Sequence, residues 1–236
     1  MTTATATTTT SDGKSFKSAT RLQGSFLTAI EKRTLRWLAE RIPASVNSDD
    51  LTILALVAMG GVGLSYWLAA SEPIGLLLAI LFLAINWFGD SLDGTLARVR
   101  DTQRPRYGYY VDHIVDVIGT FFLFGGLALS GYMSPGVAAL LLIAYFMVCL
   151  EVYLATVSLG TFKMDFMRIG PTELRILLAI GNIVLLFHPM ATVFGHTFKL
   201  FDVGGVIGTA GMFSVLIIST IRNTRTLYRA EPMPRR

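Results

Sequence analysis

From about residue 51 onward the chain alternates long apolar runs with short polar breaks. A bilayer-crossing helix takes about 20 apolar residues. Six segments reach that length: 51–70, 74–98, 108–131, 135–160, 172–190 and 203–223. The fifth carries Asn182 and ends at His188 and Pro189. Ahead of them, residues 25–42 read as a helix of another kind that stops before Pro43. At about 100° per residue, Leu27, Ile30, Thr34, Trp37, Leu38 and Ile42 share one face, with Lys32, Arg33, Arg36 and Glu40 opposite. Glu31 and Arg41 interrupt the apolar side. The pattern predicts an amphipathic helix lying in the headgroup layer, in preference to a surface helix packed on the protein itself. Residues 1–22, a Thr/Ala run followed by Ser, Gly and Lys, have no apolar core of signal-peptide length and predict a disordered tail.

The expected fold is therefore all-α and polytopic. A tail spans 1–22, an interfacial helix and linker 23–50, a six-helix transmembrane catalytic domain 51–225, and a basic C-terminal tail 226–236. No internal repeat is present, and no second domain has room. Composition agrees: 53% of residues are apolar and 15% charged, where a soluble domain carries about 25% charged. The single cysteine, Cys149, excludes an intrachain disulfide. No nucleic-acid partner is expected.

Charge placement sets the topology. With six spans, nineteen of the twenty Lys and Arg residues fall on one side and Lys199 on the other. By the positive-inside rule the basic side, with both termini, is cytoplasmic.

The candidate chemistry lies in residues 89–116, GDSLDGTLARVRDTQRPRYGYYVDHIVD. On a helix, Asp93, Gly94, Ala97 and Arg98 fall within about 80° of Asp90, and Asp112 and Asp116 fall within about 80° of Gly108. The short 99–107 loop, with Pro105 inside it, predicts antiparallel neighbouring helices whose four carboxylates converge near the cytoplasmic end. An aspartate at bilayer depth costs roughly 2.5–3.5 kcal/mol, less near an interface. Like charges brought together add repulsion. Arg98 is the basic residue on these faces, and one charge does not balance four. Divalent cations do, and an oxygen-only ligand set favours Mg²⁺ or Mn²⁺. Two such ions suit phosphoryl chemistry. Gly94, Ala97 and Gly108 leave a groove for a flat ligand beside the carboxylates, although small residues in membrane helices also serve helix packing. A cation transporter is the rival class, since intramembrane carboxylates also mark ion pathways. Clustering at one end, without inverted repeats, argues against it.

The pattern D-x2-D-G-x2-A-R-x9-G-x3-D-x3-D resembles the signature of the CDP-alcohol phosphotransferase family, with eight fixed positions matched in order. The resemblance implies a homodimeric membrane enzyme whose active site opens to the cytoplasm. The reaction it implies moves a substituted phosphate from a CDP-alcohol to a hydroxyl acceptor and releases CMP, in phospholipid synthesis. It implies that Asp90, Asp93, Asp112 and Asp116 hold two metals, with Asp116 as catalytic base. It also implies that Asp90, Asp93, Gly94, Ala97, Arg98 and Gly108 line the CDP site. Arg98 reads as a phosphate donor group in preference to a helix-end anchor.

Acceptor candidates are Lys163, Arg168 and Arg175, around the start of the fifth span, which serve equally well as cytoplasmic anchors. Glu151 is a further candidate at membrane depth, with pairing to Arg175 as the favoured structural alternative. The string DHIVD resembles the choline and ethanolamine phosphotransferase branch, in which the lipid is the acceptor. In the other direction the lipid is on the donor, as CDP-diacylglycerol. Lysine or arginine after the last aspartate marks glycerophosphate- or inositol-phosphate-using members, and Val117 stands there instead. His113 lies about 100° from the carboxylate face and reads as a packing residue.

Overall fold

In the computed structural model, residues 28–159 and 171–231 are described. The expected tail at 1–22, and Lys163 and Arg168, lie outside them. Among the described residues the elements are α1 (Thr28–Ala39), α2 (Ser48–Ala69), α3 (Ile74–Val99), α4 (Pro105–Leu129), α5 (Pro135–Leu159) and α6 (Pro171–Phe187). A hairpin of β1 (Met190–Val193) and β2 (His196–Lys199) follows, then α7 (Leu200–Ala230). Five helices, α2 to α5 and α7, are long and apolar enough to cross a membrane. The sixth expected segment is helical as α6, but only 17 residues long. The chain then turns into a hairpin that the apolar pattern did not predict. The expected basic tail begins inside α7, which continues to Ala230.

α2 is the hub. Both α3 and α4 pack on it, and they make almost no direct contact with each other. Backbones approach closely where side chains vanish. A β-carbon on Gly89 would lie 2.6 Å from the Leu51 carbonyl oxygen, and one on Gly63 would lie 2.6 Å from that of Phe122. Such small-residue contacts are how helices associate in lipid, where no hydrophobic drive exists between apolar surfaces.

Three buried clusters distribute the helices. The largest joins α2 to α6 through Val62, Tyr66, Leu76, Leu127, Leu141 and Leu185. A second joins α1 to α2 and to the end of α3 through Leu35, Ala39, Leu51, Leu92 and Leu96. A third centres on Val148 and Val152 of α5, with Tyr109, Met212 and Leu216 against them. The end of α3 and the start of α4 therefore belong to different clusters, and the bundle is open between them.

α1 packs on α3, burying Leu35 and Ala39 while Trp37 remains half-exposed. Leu35 and Ala39 stand beside Leu38 and Ile42 at helical spacing, so the packed stripe is rotated from the expected apolar face. Glu31 adds to the attachment, accepting hydrogen bonds from Trp87 Nε1 of α3 at 3.1 Å and from Thr172 Oγ1 of α6 at 2.6 Å.

Candidate active site

Asp90 and Asp93 lie near the C-terminal end of α3, and the way that helix stops places them. Asp101 adopts φ 52°. Its N–H returns to the Arg98 carbonyl at 3.4 Å, and that of Thr102 to the Ala97 carbonyl at 3.0 Å. This is a Schellman stop, with aspartate in the left-handed position that glycine usually fills. Pro105 then opens α4, where its missing N–H costs nothing. Arg100 ties this corner to the linker between α1 and α2, donating to the carbonyls of Val46 at 2.6 Å, Ile42 at 2.9 Å and Pro43 at 3.0 Å.

Asp93 is buried and held on several sides. Its Oδ2 accepts from Thr52 Oγ1 of α2 at 2.7 Å, and its Oδ1 accepts from the Gly94 N–H at 2.5 Å. Ser48 Oγ donates to its carbonyl at 2.9 Å. Asp90 pairs with Arg175 of α6, whose Nη2 stands 2.6 Å from Asp90 Oδ2. Arg175 Nε also donates to Asn86 Oδ1 at 2.8 Å, and Asn86 Nδ2 donates to the Ala55 carbonyl at 3.0 Å. Asp90 and Asp112 lie close enough to Asp93 for their charges to act on it. Asp116, one turn along α4, lies within electrostatic reach of Tyr145, Cys149 and Tyr153 of α5. Asp112 and Asp116 are both exposed, on the side where the bundle is open.

The expected close pairing of α3 and α4 is corrected here. α2 holds the two helices apart, so the carboxylates face one another across a gap rather than along a helix seam. Among the described residues, no three His, Cys, Asp or Glu side chains form a ready-made metal cage. Two of the four carboxylates are held by protein donors instead, Asp90 by Arg175 and Asp93 by Thr52. The donor set itself, aspartate oxygens with a net negative balance, fits a hard divalent cation.

The two motif glycines behave unlike the packing ones. A β-carbon on Gly108 would meet nothing within 4 Å, and one on Gly94 would meet only the Arg98 guanidinium, at 3.5 Å. Arg98 is exposed and folds back over this spot, donating from Nη2 to Thr95 Oγ1 at 3.0 Å. Ala97 is partly buried on the same stretch of α3.

The profile of the CDP-alcohol phosphatidyltransferase family matches residues 48–218. The chain belongs to the CDP-alcohol phosphatidyltransferase family. Comparison with individual curated proteins returns no match. The matched region runs from the first residue of α2 well into α7, so α1 lies outside it. Members of this family are transferases that move a phosphate-linked group from a CDP-alcohol to an alcohol acceptor, and they generally depend on divalent cations. Five apolar helices make this member an integral membrane protein. The transporter alternative falls with the family assignment.

Several functional partners escaped the sequence reading. Asn86 did leave a signal, one helical turn before Asp90 on the same face. Thr52 and Ser48 left none, because an ordinary hydroxyl near the start of an apolar run has no pattern. Glu151 does not pair with Arg175. It accepts from Asn223 Nδ2 of α7 at 2.7 Å, and Arg175 serves Asp90 instead. His113 packs between aromatic rings, 4.2 Å from Tyr109 and 5.2 Å from Tyr153 between centroids.

Proposed function

We propose that this enzyme transfers a phosphatidyl group from CDP-diacylglycerol to a hydroxyl acceptor, releasing CMP, in phospholipid synthesis. The reading rests on one observation above the rest: the gap between α3 and α4 is bordered by the motif carboxylates and by two glycines that face open space. Glycines kept for helix packing would be covered, as Gly63 and Gly89 are. Bare glycines beside charged groups suit a ligand that lies against the backbone.

In this reading Asp90, Asp93, Asp112 and Asp116 hold two divalent cations, Mg²⁺ or Mn²⁺. When bound, these offset charge on the diphosphate and on the departing CMP. Gly94, Ala97 and Gly108 leave room for the cytidine. Arg98 and Arg175 donate to phosphate oxygens, Arg175 exchanging Asp90 for the ligand when Asp90 is taken up by metal. The acceptor oxygen attacks the phosphorus attached to the diacylglycerol, the bond to the CMP phosphate breaks, and Asp116 takes the hydroxyl proton. Glu151 is bound to α7, and Lys163, Arg168 and Arg175 remain the candidates for recognising a charged acceptor.

The proposed frame is a homodimer with six crossings, both termini and the site facing the cytoplasm, and α1 at the headgroup layer with Trp37 and its basic residues outward. The DHIVD string keeps head-group transfer to a lipid acceptor as a second reading. Incubating purified protein with CDP-diacylglycerol, CDP-choline or CDP-ethanolamine and a panel of alcohols distinguishes the two. CMP release with CDP-diacylglycerol and a polar alcohol is expected. Release confined to CDP-choline or CDP-ethanolamine with a diacylglycerol would overturn the donor assignment.

A further inference from the structure

The stretch 188–199 takes no part in the site described above. It folds as β1 and β2 in antiparallel register, Val193 opposite His196, joined by Phe194 and Gly195. Both turn residues have positive φ, 50° and 81°, as a two-residue type I′ turn demands. Glycine is at home there. A bulky phenylalanine is not, and asparagine or glycine is the usual choice at the first position. The turn therefore does not account for Phe194. Its ring is 99% exposed.

The register sorts the rest. Ala191, Val193, His196 and Phe198 share one face, and Met190, Thr192, Thr197 and Lys199 share the other. The hairpin is thus amphipathic, with an apolar face ending in Phe194 and a more polar face that carries Lys199. Phe187, the last residue of α6, is 72% exposed as well.

Depth supplies the second argument. Arg175 and Asp90 are bonded, so they lie level. From Arg175, α6 runs on to Phe187, about 18 Å of helix, whereas α3 reaches back from Asp90 to Ile74, about 24 Å. α6 therefore stops about 6 Å short of the level at which α3 begins. Its 17 residues span about 26 Å, less than the hydrocarbon core of about 30 Å. The hairpin fills that interval, because α7 starts its return at Leu200.

We propose that the hairpin is a membrane-interface anchor. Its apolar face and Phe194 seat in the boundary between headgroups and acyl chains of the leaflet opposite the aspartates, and they complete the crossing that α6 leaves short. Phenylalanine in this layer keeps its ring from water, while Lys199 reaches the headgroups. The inference rests on the six-crossing frame proposed above.

The test is a nitroxide placed at Phe194→Cys, and separately at Phe198→Cys, in vesicles of phosphatidylethanolamine and phosphatidylglycerol. The parent chain, whose one cysteine is buried, supplies the background. Oxygen is expected to relax both labels more than a water-soluble nickel chelate does, by severalfold relative to a label at the exposed loop residue Asp101. Nickel dominance at both positions, matching Asp101, would overturn the anchor. A separate pair, Asp101→Cys and Arg229→Cys, probed with an impermeant maleimide in sealed vesicles, reads the frame itself. Six crossings put the two residues on the same side. Labelling from opposite sides would overturn the frame, and with it the anchor, independently of the nitroxide result.

Discussion

Asp93 carries more protein contacts than any other carboxylate of the motif. Thr52 and the Gly94 N–H fix its two oxygens, so its orientation is settled before any ligand arrives. Groups that orient a metal-binding carboxylate typically contribute 10–100-fold in metal affinity or activity. Thr52→Val is expected to weaken Mn²⁺ binding by about that factor, measured by electron paramagnetic resonance of the free ion, and Thr52→Ser to restore it. Equal affinity in all three proteins would mean that the hydroxyl merely fills space. Asp116 sits differently, exposed and turned toward the tyrosines of α5. As the base it should matter for turnover and not for nucleotide binding. Asp116→Asn is expected to lower CMP release by about 10²–10⁴-fold while CDP affinity, read by calorimetry with metal present, stays within a few-fold. Near-normal turnover would remove it from that role. At this scale the sequence was informative about acids and silent about their holders. Carboxylates in an apolar run are costly and therefore conspicuous. Thr52, Ser48 and the reach of Arg175 depend on which helix lies alongside, which no local pattern reports.

The glycines separate two uses of one residue type at the level of the helices. Gly89 lets α3 approach α2, and Gly94, five residues on, borders open space. Gly89→Leu is expected to prevent recovery of folded protein, judged by a monodisperse peak in size-exclusion chromatography. Gly94→Leu should fold normally and bind CDP at least tenfold more weakly. Unchanged CDP affinity in Gly94→Leu would close the proposed groove. Helix existence was legible from apolar runs, and so were the turn signals at Pro43, Pro73 and Pro105. Helix adjacency was not. The 99–107 loop is short, yet α3 and α4 do not pack together, because their ends are claimed by α1 on one side and by α5 and α7 on the other. Asn182, which marked the fifth segment as doubtful for a span, proves to be a structural fastener that accepts from Tyr66 of α2 at 3.0 Å. The hairpin was missed because a lone pair of four-residue strands takes its support from neighbouring helices rather than from its own pattern.

Across the whole molecule, the far halves of the helices form one continuous core, and the halves near the aspartates splay into two smaller clusters. That division leaves an opening at one end of a bundle otherwise closed, and the acidic motif lies at the opening. The account stands on those carboxylates acting together with divalent cations on a CDP-linked donor. The measurement that bears on it most directly is CMP release from CDP-diacylglycerol and an alcohol by purified protein stripped with EDTA and then given Mn²⁺, with Asp93→Asn run in parallel. Release should vanish on stripping, return with the metal in the parent enzyme and stay absent in the variant. Release that survives stripping, or that the variant matches, would contradict the account.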